Sequence, residues 1–129
     1  MVEEELTDGE RIARLLSSEV HGHERGALGR LSVVDAADDV DPTEAGTFAY
    51  AVADGERRVA EVYAHPDRAH VEFLTAAQAA AEAGQRAGLR VRPKAVDPPR
   101  TLVFVENGAE VKPALRVVRA VGEALEESG

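Results

Sequence analysis

The chain has 129 residues, with 24 acidic and 15 basic side chains and a formal net charge of −9 at pH 7. This length suits one domain that buries roughly two thirds of its unfolded surface. Because there is no cysteine, a disulfide framework and a thiolate metal site are excluded. The N-terminus is acidic, unlike a signal peptide, and no apolar run reaches membrane-spanning length. We expect a single cytoplasmic domain over residues 1–129, with frayed ends at 1–5 and 126–129 and no cofactor.

The first predicted helix runs from Thr7 to about Val20, because Thr7 and Glu10 have the spacing of a capping box. Its apolar residues share one side, as in an ordinary amphipathic helix: Ile12, Leu15, Leu16 and Val20.

Two histidines, His21 and His23, flank Gly22 at the predicted end of this helix. One interpretation is a weak metal site, with Glu19 or Glu24 adding an oxygen ligand. The other is a helix C-terminus, which Gly22 ends and near whose negative pole the histidines lie favourably. We favour the second, because residues i and i+2 converge on a metal only in extended chain.

A short strand is predicted at residues 31–34 and an acidic loop at about 35–46. The loop has carboxylates for a cation but lacks the glycine and terminal glutamate of an EF-hand, so we expect it to be solvated. The next strand, 47–54, alternates in polarity, which predicts one face for its three large residues: Phe48, Tyr50 and Val52.

Asp54 and Gly55 form a strong hairpin signal, so a partner strand is expected at 58–64. A turn at 65–68 follows. Residues 71–74 are either a fourth strand or the lead-in to the next helix. We favour the strand, because the segment is rich in β-branched and aromatic residues.

The stretch from Thr75 to Val105 organises the predicted fold. Thr75 and Gln78 suggest a capping box for an alanine-rich helix, and Gly88 suits the left-handed position past its end. One stripe of this helix is small enough for close approach to a sheet: Ala76, Ala80, Ala83 and Ala87.

Two strands, at 89–96 and 101–105, follow this helix and are joined by a proline turn. The second is apolar on both faces, which favours a central place in the sheet. Asn107 and Glu110 then mark the start of the last helix. Its apolar stripe is Val111, Leu115, Val118, Val121 and Leu125.

The candidate binding residues are basic. Arg90, Arg92 and Lys94 alternate along one strand and therefore share a face, and Arg86 and Arg100 are near enough in the chain to join them. One interpretation is a site for phosphate, nucleic acid or an acidic partner. The alternative is a solvent face whose cations meet the chain's own carboxylates.

Catalysis has little support in the sequence, which contains no Gly-rich phosphate loop, HExxH motif or nucleophile elbow. His65 and His70 flank a turn with Asp67 and Glu72 and could form an acid–base cluster. Surface-turn histidines are the commoner explanation of this spacing.

The chain has two lysines, Lys94 and Lys112, against thirteen arginines. This acidic, lysine-poor surface resembles that of the small, uncharacterised cytosolic protein families of haloarchaea, and the resemblance implies a cytoplasm of molar salt. There the Debye length is only about 3 Å, which weakens long-range attraction to nucleic acid. The aromatic residues are expected mainly in the core, which leaves few stacking surfaces.

The order α-β-β-β-(β)-α-β-β-α predicts a two-layer α+β domain with a mostly antiparallel sheet. This order resembles the secretion-chaperone-like fold, which implies a small dimeric binding protein. A dsRNA-binding-like order (α-β-β-β-α) covers the first two thirds, but the acidic first helix argues against it. We expect a non-catalytic interaction module whose partner is a second copy, an acidic protein or an anion. Nucleic-acid binding through residues 90–94 and an enzyme using the His65/His70 turn are the alternatives.

Overall fold

The computed structural model describes residues 6–22 and 29–128. Within these ranges it has three α-helices: α1 (Gly9–Gly22), α2 (Ala77–Arg86) and α3 (Val111–Ser128). It also has six strands: β1 (Leu31–Val34), β2 (Thr47–Asp54), β3 (Arg57–Ala64), β4 (Ala69–Phe73), β5 (Val91–Lys94) and β6 (Arg100–Val105). A 3₁₀ turn at Gly108–Glu110 precedes α3. The predicted α+β class and element order are confirmed, including the fourth strand.

The six strands form one antiparallel sheet in the order β1-β2-β3-β4-β6-β5. β3 and β4 occupy its middle, so the prediction that β6 is central is wrong. β6 lies beside the edge strand β5. After α2 the chain first forms β5 at the edge of the sheet and then turns back to form β6, which pairs with β5. A strand sequence that is apolar at every position indicates that both faces of the strand are buried. It does not show where the strand lies in the order of the sheet.

All three helices pack on the same face of the sheet. The Tyr50 hydroxyl on β2 donates to the Ala13 carbonyl of α1 at 2.7 Å, and the Thr101 hydroxyl on β6 donates to the Ala77 carbonyl at the start of α2 at 2.7 Å. α3 contacts α1, α2 and β6. The main core lies between these layers and is made mostly of valine and alanine, with Phe73 as its largest fully buried side chain.

A bulge in β2 puts Phe48 and Tyr50 on opposite faces of the sheet, although the alternating sequence predicts that they share a face. Phe48 pairs with Tyr63 and Tyr50 pairs with Val62, and the register shifts between the two pairs. Because Val62 and Tyr63 are consecutive in β3, they point to opposite faces, and so do Phe48 and Tyr50. The prediction of one shared face is therefore wrong for Phe48, while Tyr50 and Val52 do share the helical side.

The cap of α1 lies one residue later than the sequence predicts, because Asp8 rather than Thr7 caps the helix, which begins at Gly9. The Asp8 carboxylate accepts from the backbone N–H of Arg11 at 3.2 Å. The predicted apolar side is otherwise buried, apart from Leu15, which is 37% exposed. The helix ends at Gly22, close to the predicted end.

α3 keeps its predicted apolar stripe, all of which is buried or packed against the core. Asn107 makes no side-chain capping bond, and the Glu110 carboxylate instead accepts from the backbone N–H of Glu106 at 2.8 Å. The helix continues to Ser128, where the sequence predicts a frayed end. None of the helices in the described part of the chain is long and apolar enough to cross a bilayer.

α2 starts without the predicted capping box. Ala76 occupies its cap position in a left-handed conformation with φ 53° and no side-chain hydrogen bond. Thr75 is engaged elsewhere, since its hydroxyl accepts from the Arg57 guanidinium at 2.8 Å. Gly88 lies at φ +78° past the helix end, as predicted.

Ala80 and Ala83 of the predicted small-residue stripe are buried, and beside them Gly84 lies in close contact with the sheet. A methyl group on Gly84 would stand 2.6 Å from Val91 Cγ2 and 3.4 Å from Val103 Cγ2. Gly84 therefore lets α2 pack directly on β5 and β6.

We predict that Gly84→Ala lowers the free energy of unfolding by about 1–3 kcal/mol, because the added methyl forces α2 away from the sheet. The matched control is Gly22→Ala, since a methyl at the end of α1 meets no atom within 4 Å. That change should be neutral or slightly stabilising, because alanine favours helix. Chemical denaturation of both variants checks this, and equal effects would refute close packing at Gly84.

Candidate functional site on the open sheet face

The sheet face opposite the helices is covered by none of the helices that the structure describes, and we call it the open face. Cross-strand pairing assigns its residues: Phe48, Arg58, Glu61, Tyr63, His70, Glu72, Arg92, Lys94, Arg100, Leu102 and Phe104. The row Phe48–Tyr63–His70–Phe104 crosses four strands with ring centroids 4.9–5.9 Å apart. The aromatic residues, which the sequence analysis expects mainly in the core, are therefore divided between the two faces of the sheet. Three of the five lie on the open face.

A trough of about 480 Å³ crosses the open face. Its floor is formed by Tyr63, His70, Glu72 and Leu102, and Ala45 of the acidic loop borders it. On the β5 side it is lined by Arg92, Pro93, Lys94 and Ala95.

Glu72 is the central charged residue of the trough and is only 4% exposed. Its Oε2 accepts hydrogen bonds from Arg100 Nη1 at 2.7 Å and from Lys94 Nζ at 3.1 Å. Burial alone would raise the pKa of Glu72, but the hydrogen bonds and charges of Arg100 and Lys94 outweigh it and lower the pKa. One carboxylate thus connects β4, β5 and β6 through side chains.

Other cations of this face also meet the chain's own carboxylates. Arg90 pairs with Glu106 at 3.2 Å, and its guanidinium lies 4.2 Å from the centroid of the Phe104 ring. Arg58 bridges Asp35 at 2.6 Å and Glu61 at 3.0 Å. Among the residues that the structure describes, Arg92 is exposed and makes no ion pair.

Four of the five predicted site residues come together on this face: Arg90, Arg92, Lys94 and Arg100. Arg86 does not join them. It lies in the last turn of α2, on the helical layer, where it lines a different groove with Arg116 and Arg119.

His65 and His70 are buried, at 4% and 6% exposure, so their interpretation as surface-turn histidines is wrong. His65 Nδ1 donates to the Glu44 carbonyl at 2.9 Å, because a carbonyl can only accept. In the neutral pair, His65 Nε2 must then accept from His70 Nδ1–H, at 2.8 Å. This leaves the lone pair of His70 Nε2 without a partner, 4.0 Å from Glu72 Oε1.

Burial, followed by the nearby charge of His65, lowers the pKa of His70 to about 4. The same buried row affects Tyr63, whose pKa is raised to about 12 by burial and by its hydrogen bond to Glu61. His70 and Glu72 are alternate residues of one strand, so a strand drawn from Ala69 would have placed both on one face. The sequence prediction began that strand at Val71 and so placed His70 in the preceding turn.

The hypothesis of a metal site at His21 and His23 gains no support. The described residues contain no group of three or more His, Asp or Glu side chains suited to a metal ion. His21 is exposed in the last turn of α1, and His23 lies outside the described residues. The acidic loop at 35–46 has no helix or strand, as predicted, and its Glu44 carbonyl holds His65.

The fold and this site define a two-layer α+β protein with one helical face and one open, charged sheet face. The chain belongs to a family of unknown function, DUF7993, whose model matches residues 1–129. No curated protein and no solved structure matches the chain.

We predict that the free energy of unfolding falls by about 1–2 kcal/mol between pH 7.5 and pH 5 because of His70. Unfolding releases His70 to an ordinary pKa near 6.5, so below that pH the unfolded chain takes up a proton that the folded chain excludes. Denaturant titrations at both pH values should show this loss in the wild type. It should shrink in His70→Asn, whose amide still donates to His65.

The matched control is His21→Asn, which makes the same change at an exposed histidine, and the loss of stability should be smaller in His70→Asn than in this control. Measurements do not go below pH 5, because Glu72 also loses its stabilising charge at lower pH. An unchanged slope in His70→Asn would contradict a buried, neutral His70.

Proposed function

We propose that the protein is a non-catalytic interaction module that forms a homodimer through the open face, in the cytoplasm of a halophilic cell. The observation that carries the proposal is the division of the open face into two flanks of opposite charge.

The basic flank lies on β5 and β6 and has four cations, Arg90, Arg92, Lys94 and Arg100, against the carboxylates Glu72 and Glu106. The acidic flank extends from the central strand β3 to the loop after the edge strand β1, at the opposite end of the face. Among the described ion pairs it has two carboxylates against one cation: Asp35 and Glu61 against Arg58. Each flank therefore keeps a net charge after its internal pairs are formed.

A two-fold axis through the middle of such a face would place the basic flank of one copy over the acidic flank of the other. Each contact would then occur twice, which is the self-complementarity that a two-fold dimer requires. Between the flanks lie half-buried Phe48, Tyr63 and Leu102, which supply apolar area near the centre. Aromatic and arginine side chains together are typical of protein interfaces.

Catalysis has less support than binding, although the trough contains a histidine. A general base must reach the proton that it removes. His70 Nε2 is shielded from solvent, and Glu72 is held by Lys94 and Arg100. The trough offers no free acid–base pair in this arrangement.

Nucleic-acid binding is also less supported, because the cations and rings are already in use. Lys94, Arg100 and Arg90 have carboxylate partners. Arg90 stacks on Phe104, and Arg58 lies 5.6 Å from the Phe48 ring centroid, so neither ring offers a bare surface to a base.

The high-salt setting rests on the acidic, lysine-poor composition. With a Debye length of about 3 Å in molar salt, only charges in direct contact attract strongly. An interface that places opposite flanks against each other is compatible with such a medium.

We predict that the wild-type protein sediments as a dimer at tens of micromolar in molar KCl and dissociates on dilution. Leu102→Asp should shift it to monomer at the same concentration, because it buries a new carboxylate beside Glu72 at the centre of the interface. Sedimentation velocity over a concentration series measures this.

The control is Leu15→Asp, which adds the same charge at an exposed leucine on α1, away from the open face. It should leave the dimer intact. A wild-type monomer at all concentrations, or equal dissociation by both variants, would contradict dimerisation through the open face. Binding of the wild type to an RNA oligonucleotide in molar salt, lost in Arg92→Gln, would favour the nucleic-acid alternative.

A further inference from the structure

A second basic surface lies on the helical layer, on the opposite side of the molecule from the open face. Lys112, Arg116 and Arg119 follow one another along α3, and Arg86 faces them from α2. They line two adjoining concavities of about 390 and 300 Å³, which we call the helical groove. Its cations are spaced by four and then three residues, so they share one side of the helix.

Among the described residues, these cations lack the ion pairs that most of the other arginines form. Within the described ranges, six of the nine arginines outside the groove form ion pairs with carboxylates: Arg14, Arg30, Arg58, Arg68, Arg90 and Arg100. In the same ranges, none of the four groove cations forms one, and all four are exposed. Unlike the basic flank of the open face, the helical groove is not neutralised by ion pairs.

Like charges at these spacings disfavour the helix, and a glutamate in place of Arg116 would relieve the repulsion. The chain has 24 acidic residues, yet of those that the structure describes just two line the groove, Glu123 at one end and Glu19 on one flank. Three cations in succession on an acidic protein thus oppose both local helix stability and the overall charge. This arrangement is expected where a ligand provides the missing negative charge.

The lining of the groove indicates what kind of ligand fits. Ala83, Ala87 and Ala120 leave space between α2 and α3, and Leu115 adds an apolar surface beside them. No aromatic residue lines either concavity, so bases would find no stacking surface. A floor of alanine and leucine with cations on both α2 and α3 suits a peptide better than a nucleic acid.

The spacing of the cations along α3 indicates the conformation of the peptide that would fit the groove. Lys112 to Arg119 spans about 10 Å of α3, with one cation per helical turn. A second helix lying along the groove would present carboxylates at the same interval if acidic residues recur every three or four positions. Arginine forks bind carboxylates in a bidentate geometry and are weakly hydrated, so these contacts tolerate salt.

We propose that the helical groove binds an acidic, amphipathic helical segment of a partner protein, with small apolar residues on the alanine floor and carboxylates on Arg86, Arg116 and Arg119. The proposal is independent of dimerisation, because the groove and the open face lie on opposite sides of the sheet.

The test uses the full chain and a synthetic 16-residue peptide with alanines on one side and glutamates at positions i, i+4, i+7 and i+11. Fluorescence anisotropy in molar KCl measures its affinity. We expect saturable binding that weakens at least tenfold in the double variant Arg116→Gln/Arg119→Gln. Arg11→Gln on α1 is the matched control, because Arg11 is exposed and lines neither concavity, and it should bind like the wild type. A scrambled peptide of the same composition should bind at least tenfold more weakly.

A charge exchange separates loss of binding from loss of structure. Arg116→Glu/Arg119→Glu should reject the acidic peptide and bind a peptide with lysines at the same positions, while keeping the wild-type melting temperature or exceeding it. Equal binding of the ordered and scrambled peptides, or equal binding by wild type and Arg116→Gln/Arg119→Gln, would overturn the proposal. So would an RNA oligonucleotide that binds the groove more tightly than the acidic peptide in the same salt.

Discussion

The open face depends on a single buried carboxylate. Glu72 lies in the middle of the sheet, and a charge there would be costly without partners. Lys94 and Arg100 supply these partners from the two strands next along the sheet, and both bond to the same oxygen. The edge strand β5 is therefore held by side chains as well as by its backbone pairing with β6. Glu72 therefore uses two of the predicted site cations, Lys94 and Arg100, within the protein itself.

This constraint assigns different roles to the two sides of the molecule. The open face has cations and carboxylates that are largely paired, half-buried rings at its centre and opposite net charge at its two ends. Such a surface suits association with a complementary surface more than capture of a free anion. The helical groove has exposed cations with no ion pairs among the described residues, and it suits a ligand that carries its own charge. Dimerisation on one side and peptide binding on the other can coexist.

Features that depend on local pattern could be predicted from the sequence. The Asp54-Gly55 pair predicted the hairpin, and Gly88 predicted the end of α2. The apolar stripe of α3 predicted which side of that helix is buried. The features that could not be predicted depend on how elements that are distant in the chain pack against one another. The bulge that separates Phe48 from Tyr50 adds a residue without changing the alternation of letters. The burial of His65 and His70 requires the acidic loop to fold over the sheet, where the Glu44 carbonyl meets His65. Pairing of Lys94 with Glu72 joins strands that are 22 residues apart.

A double-mutant cycle between Glu72 and Arg100 tests this account most directly. Glu72→Gln, Arg100→Gln and the double variant are compared by chemical denaturation in molar KCl, with Glu61→Gln as a more exposed carboxylate on the neighbouring strand. We predict a coupling free energy of about 1–2 kcal/mol that persists in salt, because the carboxylate is buried. Glu72→Gln should also destabilise the protein more than Glu61→Gln does. A coupling near zero, or equal effects of the two glutamate changes, would contradict a sheet face that is held together by Glu72.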